Sequence, residues 1–159
     1  MPARRARWVL LAFRLPREPS TPRISVWRKL KRIGAAQLLD GLVALPLDHR
    51  NREQLEWIAQ EVLEAGGEAT IWISETSAAD EERELVAHMK EVVADDYERL
   101  IADVQAAVTQ PVGRRRRSLG RLRRELRRIR ERDYFPTPER ELAEQALDQL
   151  ASTAEEVHG

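Results

Sequence analysis

One short segment limits the folds that this chain can adopt. Residues 7–14, RWVLLAFR, alternate as a β-strand does and carry apolar side chains on both faces. The two faces carry Trp8, Leu10 and Ala12 on one side and Val9, Leu11 and Phe13 on the other. A strand of this kind has to be covered twice. We therefore expect it to lie centrally in a sheet, with helices on one face and a second protomer or the C-terminal part of the chain on the other.

The segment after this strand predicts a helix and then a hairpin. Ser20 or Thr21 caps the helix, and Pro22 occupies its first position. Its apolar residues recur at helical spacing: Ile24, Trp27, Leu30 and Ile33. Asp40-Gly41 then separates two apolar runs, which predicts two short antiparallel strands joined by a type I′ turn with positive φ at both central residues.

A second helix and a last strand follow. Asn51 caps the helix with Gln54 in the reciprocal position, and Gly66-Gly67 ends it. The predicted buried stripe is Leu55, Ile58, Val62 and Leu63. Residues 69–74, ATIWIS, form the strand. The order β-α-β-β-α-β predicts an α+β, ferredoxin-like sandwich over residues 1–76.

Residues 77–159 predict a helical extension without strands. A long acidic helix covers about residues 78–109, an Arg-rich helix ends near residue 132, and a final acidic helix begins at Thr137 or Pro138. The expected apolar stripe of the long helix is Met89, Val93, Tyr97, Leu100 and Val104. That of the Arg-rich helix is Leu119, Leu122, Leu126 and Ile129, and that of the final helix is Leu142, Ala146, Leu150 and Ala154.

The formal net charge is zero, with 27 basic and 27 acidic residues, but the charges are segregated. Residues 1–32 and residues 111–132 each have a net charge of +9, and the three segments around them are acidic. Local fields of this kind decide which partner approaches the surface. The blocks therefore direct attention to two basic surfaces.

Both basic surfaces are candidates for binding nucleic acid or another anion. The first comprises Arg14, Arg17, Arg23, Arg28, Lys29, Lys31 and Arg32, and the second begins with Arg114, Arg115, Arg116 and Arg117. Guanidinium groups suit phosphates and other oxyanions because they offer a planar, bidentate donor fork. The alternative is a solvated first helix partly neutralised by neighbouring glutamates, and an Arg-rich helix that pairs with its acidic neighbours. The sequence leaves both interpretations open.

No motif indicates an enzyme, a cofactor or a metal site. The sequence lacks a Gly-rich phosphate loop, an HExxH motif and a nucleophile motif, and it has no cysteine. His49, His88 and His158 lack ligand spacing. The four tryptophans, Trp8, Trp27, Trp57 and Trp72, are interpreted as core and edge packing rather than a base-stacking platform. The longest apolar run near the N-terminus has six residues, where a membrane span needs roughly 18. We expect a non-enzymatic, cytoplasmic protein.

Residues 8–46, WVLLAFRLPREPSTPRISVWRKLKRIGAAQLLDGLVALP, carry a resemblance to a known family. The strand ending in RLP, the REPS turn, the VWRKLKR helix and the DG hairpin ending in LP resemble the N-terminal domain of the chromate-resistance regulator ChrB family. The Arg-rich helix and the DYFP link also resemble that family, more loosely. The domain is similar, too, to the middle domain of phenylacetate-pathway repressors and to small CRISPR adaptation nucleases. Arg14, Pro16 and Arg17 stand where those nucleases carry an acidic residue, so we expect no nuclease activity.

The resemblance implies a chromate-resistance protein that regulates transcription by binding DNA. A homodimer would present two basic surfaces at a fixed spacing. Longer family members carry a C-terminal domain, and the resemblance here is confined to their N-terminal half. The alternative is therefore a non-catalytic module that docks a separately encoded chromate-sensing domain. A third hypothesis is that the arginines bind the chromate oxyanion directly.

Overall fold

The first strand lies inside a four-stranded sheet. The computed structural model describes residues 5–155. Its strands are β1 (Trp8–Arg14), β2 (Ala36–Leu39), β3 (Leu42–Pro46) and β4 (Glu68–Ser74). Its helices are α1 (Thr21–Arg32), α2 (His49–Glu64), α3 (Ala79–Val108), α4 (Val112–Glu131) and α5 (Pro138–Glu155). The sheet has the order β2-β3-β1-β4, and every neighbouring pair is antiparallel. The protein is thus a mixed α/β fold with the predicted order of elements.

The chain divides into two compact units, Met1–Ala87 and His88–Gly159. The division falls within α3, a continuous helix of 30 residues. The proposed domains 1–76 and 77–159 stay a prediction, and residues 1–4 and 156–159 of these ranges, with His158, lie outside the described residues.

The core of the first unit lies between the sheet and its two helices. On one sheet face, Val9 and Leu11 of β1 pair with Leu45 and Val43 of β3, and all four side chains are inaccessible to solvent. The helices contribute the buried residues Val26, Leu30, Leu55, Ile58, Ala59 and Val62. Burial of an aliphatic side chain of this size contributes about 1.5 to 3 kcal/mol, so this layer is the main stabilising feature of the unit.

The opposite sheet face is covered unevenly. Trp8 is buried, and its Nε1 donates a hydrogen bond to Glu82 Oε1 on the first turns of α3 at 3.2 Å. Leu10 and Ala12 are half-buried. On the adjacent β4, Trp72 is 60% exposed. The expected cover of this face therefore exists over β1 and is lacking at Trp72.

The hairpin differs from its prediction. Neither Asp40 nor Gly41 has positive φ, so the joint is not a type I′ turn. A β-bulge between Gln37 and Leu39 shifts the register before the turn. Gly41 is instead required by a close approach, because a Cβ there would lie 2.3 Å from the carbonyl oxygen of Phe13.

The cap of α2 was also assigned wrongly to Asn51. The helix begins earlier, because the carboxylate of Asp48 accepts a hydrogen bond from the Asn51 N–H at 2.7 Å. Asn51 is buried in the first turn, where its Nδ2 donates to the carbonyl oxygen of Pro46 at 2.9 Å. It therefore ties α2 to the end of β3.

Three residues of the predicted apolar stripes face solvent. Ile24, Leu63 and Leu142 are exposed, each at the margin of its helix's buried stripe. In α5 the buried residues are Ala143, Leu147, Leu150 and Ala154. The last two match the prediction, and the first two each lie one residue after the predicted position. Periodicity fixed the helices, and packing against neighbours decided which margin was buried.

The second unit is a three-helix assembly with its own core. Its core residues are Val93, Tyr97, Leu100, Val104, Ala107, Leu119, Leu122, Ile129, Ala143, Leu147 and Leu150. They come from α3, α4 and α5, and they include the predicted stripe of α3 from Val93 onward. Leu126 is partly buried against the same cluster. This core holds the Arg-rich helix α4 by a narrow apolar edge and leaves the rest of its circumference to charged residues.

Candidate nucleic-acid interface

Helix α4 combines a narrow buried edge with an unusually cationic surface. Ten of its residues are arginines and two are glutamates, which gives the helix a net charge of +8. Arginine is a good helix former, so the run does not oppose the helix on propensity grounds. Only Ser118, Leu119, Leu122 and Ile129 are buried. Nine of its ten arginines are exposed, and Arg115 is half-buried.

The exposed arginines of α4 form what we call the α4 arginine surface. It consists of Arg114, Arg116, Arg117, Arg121, Arg123, Arg124, Arg127, Arg128 and Arg130. Five of them, Arg114, Arg117, Arg121, Arg124 and Arg128, follow one another at intervals of three or four residues. At 1.5 Å per residue this row is about 21 Å long, which matches about six nucleotides of one DNA strand.

Few of these arginines have a carboxylate partner. Within residues 5–155, Arg128 pairs with Glu125 at 3.6 Å and Arg130 pairs with Glu144 at 3.7 Å. Six others form no ion pair within that range: Arg114, Arg117, Arg121, Arg123, Arg124 and Arg127. Within residues 5–155, carboxylates of the acidic helices therefore leave these six arginines unneutralised.

The position of the cations along α4 is a second observation that favours an anion-binding surface. A helix has a partial positive charge at its N-terminus, where cations are unfavourable by about 0.3 to 1 kcal/mol. Arg114 and Arg115 nevertheless lie in the first turn of α4, and Pro111 provides no side-chain cap. Helix stability does not explain a cationic first turn. An anionic ligand would, because free N–H groups and guanidinium groups there attract the same charge.

Arg115 differs from its neighbours. Its Nη2 donates to the carbonyl oxygen of Gln110 at 3.0 Å and its Nη1 to that of Thr153 at 3.3 Å. Ser118 Oγ also bonds Gln110 Oε1, at 2.7 Å. These contacts tie the start of α4 to the end of α3 and to α5. Arg115 is therefore a structural residue, although it stands in the predicted binding run.

A groove of about 500 Å³ lies between α3 and α4 beside the arginine row. Its polar lining consists of Asp96, Arg99, Asp103, Arg121, Arg124, Glu125 and Arg128, above Leu100 and Leu122. Asp96 and Glu125 already pair with arginines, whereas Arg121 and Arg124 form no ion pair within residues 5–155. These two guanidinium groups are therefore the best placed in the groove to bind an anion.

An ion pair and a hydrogen bond tie the chain just after α4 to helix α3. Arg132 follows the helix and pairs with Asp96 of α3 at 3.1 Å, with both side chains only 18% exposed. The next residue, Asp133, accepts a hydrogen bond from the hydroxyl of the buried Tyr97 at 2.8 Å. Arg132 thus holds Asp96 away from bulk solvent. No local sequence pattern indicates either contact.

The pKa of Tyr97 is raised well above its ordinary value. Burial of the hydroxyl is the main cause, and the hydrogen bond to the Asp133 carboxylate and its negative charge add to it. The other carboxylate oxygen of Asp133, Oδ1, is buried and has no hydrogen-bond partner among residues 5–155. Tyr97 is therefore the polar partner that makes burial of this carboxylate tolerable.

The basic surface of the first unit is partly neutralised. Arg14 pairs with Glu68 at 2.8 Å, and Lys29 of α1 pairs with Glu61 of α2 at 2.8 Å. Burial raises the pKa of Glu61, but the hydrogen bonds from Lys29 and Ser25 and the charge of Lys29 outweigh it, so the pKa lies below its ordinary value. The remaining predicted residues of this surface, Arg17, Arg23, Arg28, Lys31 and Arg32, are exposed and form no ion pair within residues 5–155.

Most cations of α1 also stand where the helix favours them. Lys29, Lys31 and Arg32 occupy its last turn, where the negative end of the helix dipole stabilises positive charge. A structural reason therefore exists for these residues that is absent for Arg114. Arg23 and Arg28 lie outside that last turn.

The tryptophans do not all pack in the core as expected. Trp8 is buried, and Trp27 is half-buried against Phe13 with ring centroids 5.5 Å apart. The interpretation is wrong for Trp57 and Trp72, which are 72% and 60% exposed. Trp57 precedes the buried Ile58 on the solvent side of α2, and Trp72 lies on the sheet face opposite to α1 and α2. They lie on opposite sides of the first unit and do not form one stacking platform.

Within residues 5–155, no group of three or more His, Asp or Glu side chains is arranged to hold a metal ion. His88 is exposed. In the same range, no helix combines the length and the apolar character required to cross a membrane.

Comparison with known proteins decides the family. The family model described as Protein ChrB, N-terminal, matches residues 23–110. The chain belongs to the ChrB N-terminal family. It is 35% identical over 77 residues to Protein ChrB of Cupriavidus metallidurans, a match that spans 48% of this chain and 23% of that relative. The chain thus matches less than a quarter of that ChrB protein's length. No solved structure matches.

The ChrB match separates the two basic surfaces. It begins at Arg23 and ends at Gln110, so it includes the cations of α1 and the acidic helix α3. Arg114 to Arg117 and the remaining arginines of α4 follow the matched region. Any role for the α4 arginine surface therefore rests on its geometry and charge.

Proposed function

We propose that this ChrB-family protein is a DNA-binding transcriptional regulator in chromate resistance and that the α4 arginine surface makes its main contacts with DNA. The observation that carries the proposal is the set of six exposed arginines on α4 without carboxylate partners within residues 5–155. Unpaired guanidinium groups keep their full attraction for phosphate, because no internal ion pair has to be broken first.

The shape of the surface supports DNA more than a small anion. The arginine row is about 21 Å long at 1.5 Å per residue, and a duplex presents a phosphate every 3.4 Å on each strand. Arginine also reads guanine edges with its bidentate fork. The uncapped N-terminus of α4 adds main-chain N–H groups at the end where Arg114 and Arg117 lie. A DNA backbone would meet several of these donors at once.

The proposal also covers the chemistry, location, assembly and fold of the protein. The protein acts without catalysis and in the cytoplasm, and it acts as a homodimer. Its first unit is a ferredoxin-like domain, which the strand order β2-β3-β1-β4 supports. The cations of α1 form a weaker, auxiliary surface, because Lys29 is engaged with Glu61 at 2.8 Å.

The test is a fluorescence-anisotropy titration of labelled DNA from upstream of a chromate-resistance operon, with unrelated DNA of equal length as the control. We expect specific binding that weakens steeply between about 50 and 200 mM salt, with a log-log slope of about −0.9 for each phosphate contact. A protein that binds neither DNA at low salt would overturn the proposal. Metal-dependent hydrolysis of the DNA, abolished by replacing one carboxylate of the protein, would overturn its non-catalytic part.

The same titration with chromate tests the other hypotheses. Chromate that binds the arginines directly would lower the affinity for DNA at constant ionic strength, and sulfate is the matched control for charge. The alternative function is a module that docks a chromate-sensing domain. The match covers only 23% of the ChrB relative, which favours a function that needs a second domain. In that case, chromate should change DNA binding only after the remaining part of the longer ChrB protein is added.

A further inference from the structure

The two edges of the sheet differ in how well they are protected. β2 is a short edge of four residues, and a bulge between Gln37 and Leu39 interrupts it. β4 is an edge of seven residues that pairs with β1 in unbroken register from Glu68 to Ser74. It has no proline, lysine or bulge, features with which proteins often protect an edge, and its charged residue Glu68 is paired with Arg14. β4 is therefore the less protected edge.

The hydrogen-bond pattern shows which groups of β4 are free. Phe13 donates its N–H to Gly41, and Arg7 accepts from Leu47, so the odd-numbered residues of β1 direct their main-chain groups toward β3. The even-numbered residues of β1 consequently bond β4 and engage its even-numbered residues. The N–H and C=O groups of Ala69, Ile71 and Ile73 therefore point away from the sheet.

Exposed apolar side chains flank this edge on both sides. Trp72, on the open face, is 60% exposed. On the helix face, Glu61 of α2 points to α1 through its bonds with Ser25 and Lys29. Leu63 lies about 200° further round α2, at 100° per residue, and so on the flank above β4. Leu63 is 48% exposed.

We propose that β4 is a dimerisation edge, on which β4 of a second copy pairs antiparallel about a twofold axis through Ile71. This register brings Ile71 opposite Ile71 of the second copy, and Ala69 opposite Ile73. All three outward N–H groups and all three outward C=O groups of each copy are then used, in six hydrogen bonds. Any other register leaves some of them unpaired. The two sheets become one sheet of eight strands.

The side chains of β4 agree with this register. Thr70 lies opposite Trp72 of the second copy, and Glu68 lies opposite Ser74, so no like charges meet. Trp72 and Leu63 become covered at the joint. On the same flank of α2, Arg52 and Glu56 are already paired at 3.1 Å and bring no net charge. The surface is thus complementary to itself, as a twofold interface requires. The proposal does not depend on DNA binding.

The first experiment measures mass by sedimentation equilibrium. The wild-type protein should have twice the mass of the 18.3-kDa chain. Thr70→Lys/Trp72→Lys should be monomeric, because lysines oppose each other across the axis, and so should Thr70→Glu/Trp72→Glu. Mixing the two variants should restore a dimer. The matched control is Val92→Lys/Leu142→Lys, which replaces two exposed apolar residues outside β4 and should stay dimeric. A monomeric wild type would overturn the proposal.

The second experiment tests the register, using the absence of cysteine in the chain. Thr70→Cys and Trp72→Cys variants are mixed and oxidised. Position 70 then faces position 72 of the second copy at a non-hydrogen-bonded site, with Cα atoms about 4.5 Å apart, within the range for a disulfide. Each variant alone places its cysteines diagonally, at about 7 to 8 Å, which is too far. Cross-linking in the mixture alone supports the register. No cross-linking, or equal cross-linking in the separate variants, would refute it.

Discussion

The cations of α1 and the arginines of α4 differ in where they stand on their helices. On α1, Lys29 lies beside the acidic helix α2 and pairs with Glu61 at 2.8 Å, and its last-turn cations complement the helix dipole. On α4, Arg128 and Arg130 of the C-terminal half pair with carboxylates, as does Arg132 just beyond the helix. The first turn opposes its helix dipole. Two segments with equal net charge in the sequence thus differ in the structure: the last-turn cations of α1 are favoured by their helix, and Arg114 in the first turn of α4 is not.

The largest expected effect comes from removing unpaired arginines of α4. Arg117→Gln/Arg121→Gln/Arg124→Gln should weaken DNA binding roughly 100-fold at physiological salt and reduce the log-log salt slope by about 2.7, because three phosphate contacts are lost. Fluorescence anisotropy over a salt series measures both quantities. The stability of the variant should be unchanged, since none of the three side chains forms an ion pair within residues 5–155.

The control for this variant removes the same charge from α1. Arg28→Gln/Lys31→Gln/Arg32→Gln should change DNA affinity less, because that surface is auxiliary in our proposal. If the α1 variant lost more affinity than the α4 variant, the assignment of the two surfaces would be reversed. If neither variant changed the salt slope of a protein that still binds DNA, both surfaces would be excluded.

The next effect concerns the contacts that hold the end of α4. Tyr97→Phe should lower the free energy of unfolding by about 1 to 3 kcal/mol, because it leaves the buried Asp133 carboxylate without its donor. Urea denaturation measures this. Because the pKa of Tyr97 is raised in the folded protein, its contribution is fully present below pH of about 10 and is lost as the pH rises further. A Tyr97→Phe variant with unchanged stability would contradict this account.

Much of this architecture could be predicted from the sequence, because hydrophobic periodicity is a local property. The order of the elements and the buried stripe of α3 follow from it. The failures concern competition between neighbours. Asp48 rather than Asn51 caps α2. Both residue types suit a helix cap, so the sequence alone does not show at which of them the helix begins. Leu63 and Leu142 lie at margins whose burial depends on where the adjacent element sits.

The candidate site was predictable in part for the same reason. A run of arginines is visible in any sequence, but the carboxylates that reach it are not. Arg115 could have been separated from its neighbours, because it precedes Leu119 and Leu122 by four and seven residues and so shares their buried edge. The pairing of Arg132 with Asp96 joins residues 36 positions apart and leaves no local pattern.

A smaller effect separates two adjacent arginines. Arg115→Ala should lower the free energy of unfolding by about 1 to 2 kcal/mol, because the carbonyl oxygens of Gln110 and Thr153 lose their donor. Arg114→Ala should leave stability unchanged or raise it by about 0.3 to 1 kcal/mol, because it relieves a cation at the helix N-terminus. Thermal unfolding monitored by circular dichroism compares the two variants. Equal destabilisation by both would show that the run acts as a structural unit.

The smallest expected effect lies on α1. Lys29→Gln should lower the free energy of unfolding at neutral pH by about 0.2 to 1 kcal/mol, the usual range for an accessible ion pair, while leaving DNA affinity almost unchanged. The pKa of Glu61 is lowered in the folded state, so the pair stabilises the protein above the unfolded pKa and the contribution is lost as the pH falls through the folded pKa. Wild type and variant should therefore converge in stability at acidic pH, measured by urea denaturation across a pH series. A loss of DNA affinity equal to that of Lys31→Gln, whose side chain forms no ion pair within residues 5–155, would show that Lys29 releases Glu61 to bind phosphate, and the contrast between the two helices would have to be redrawn.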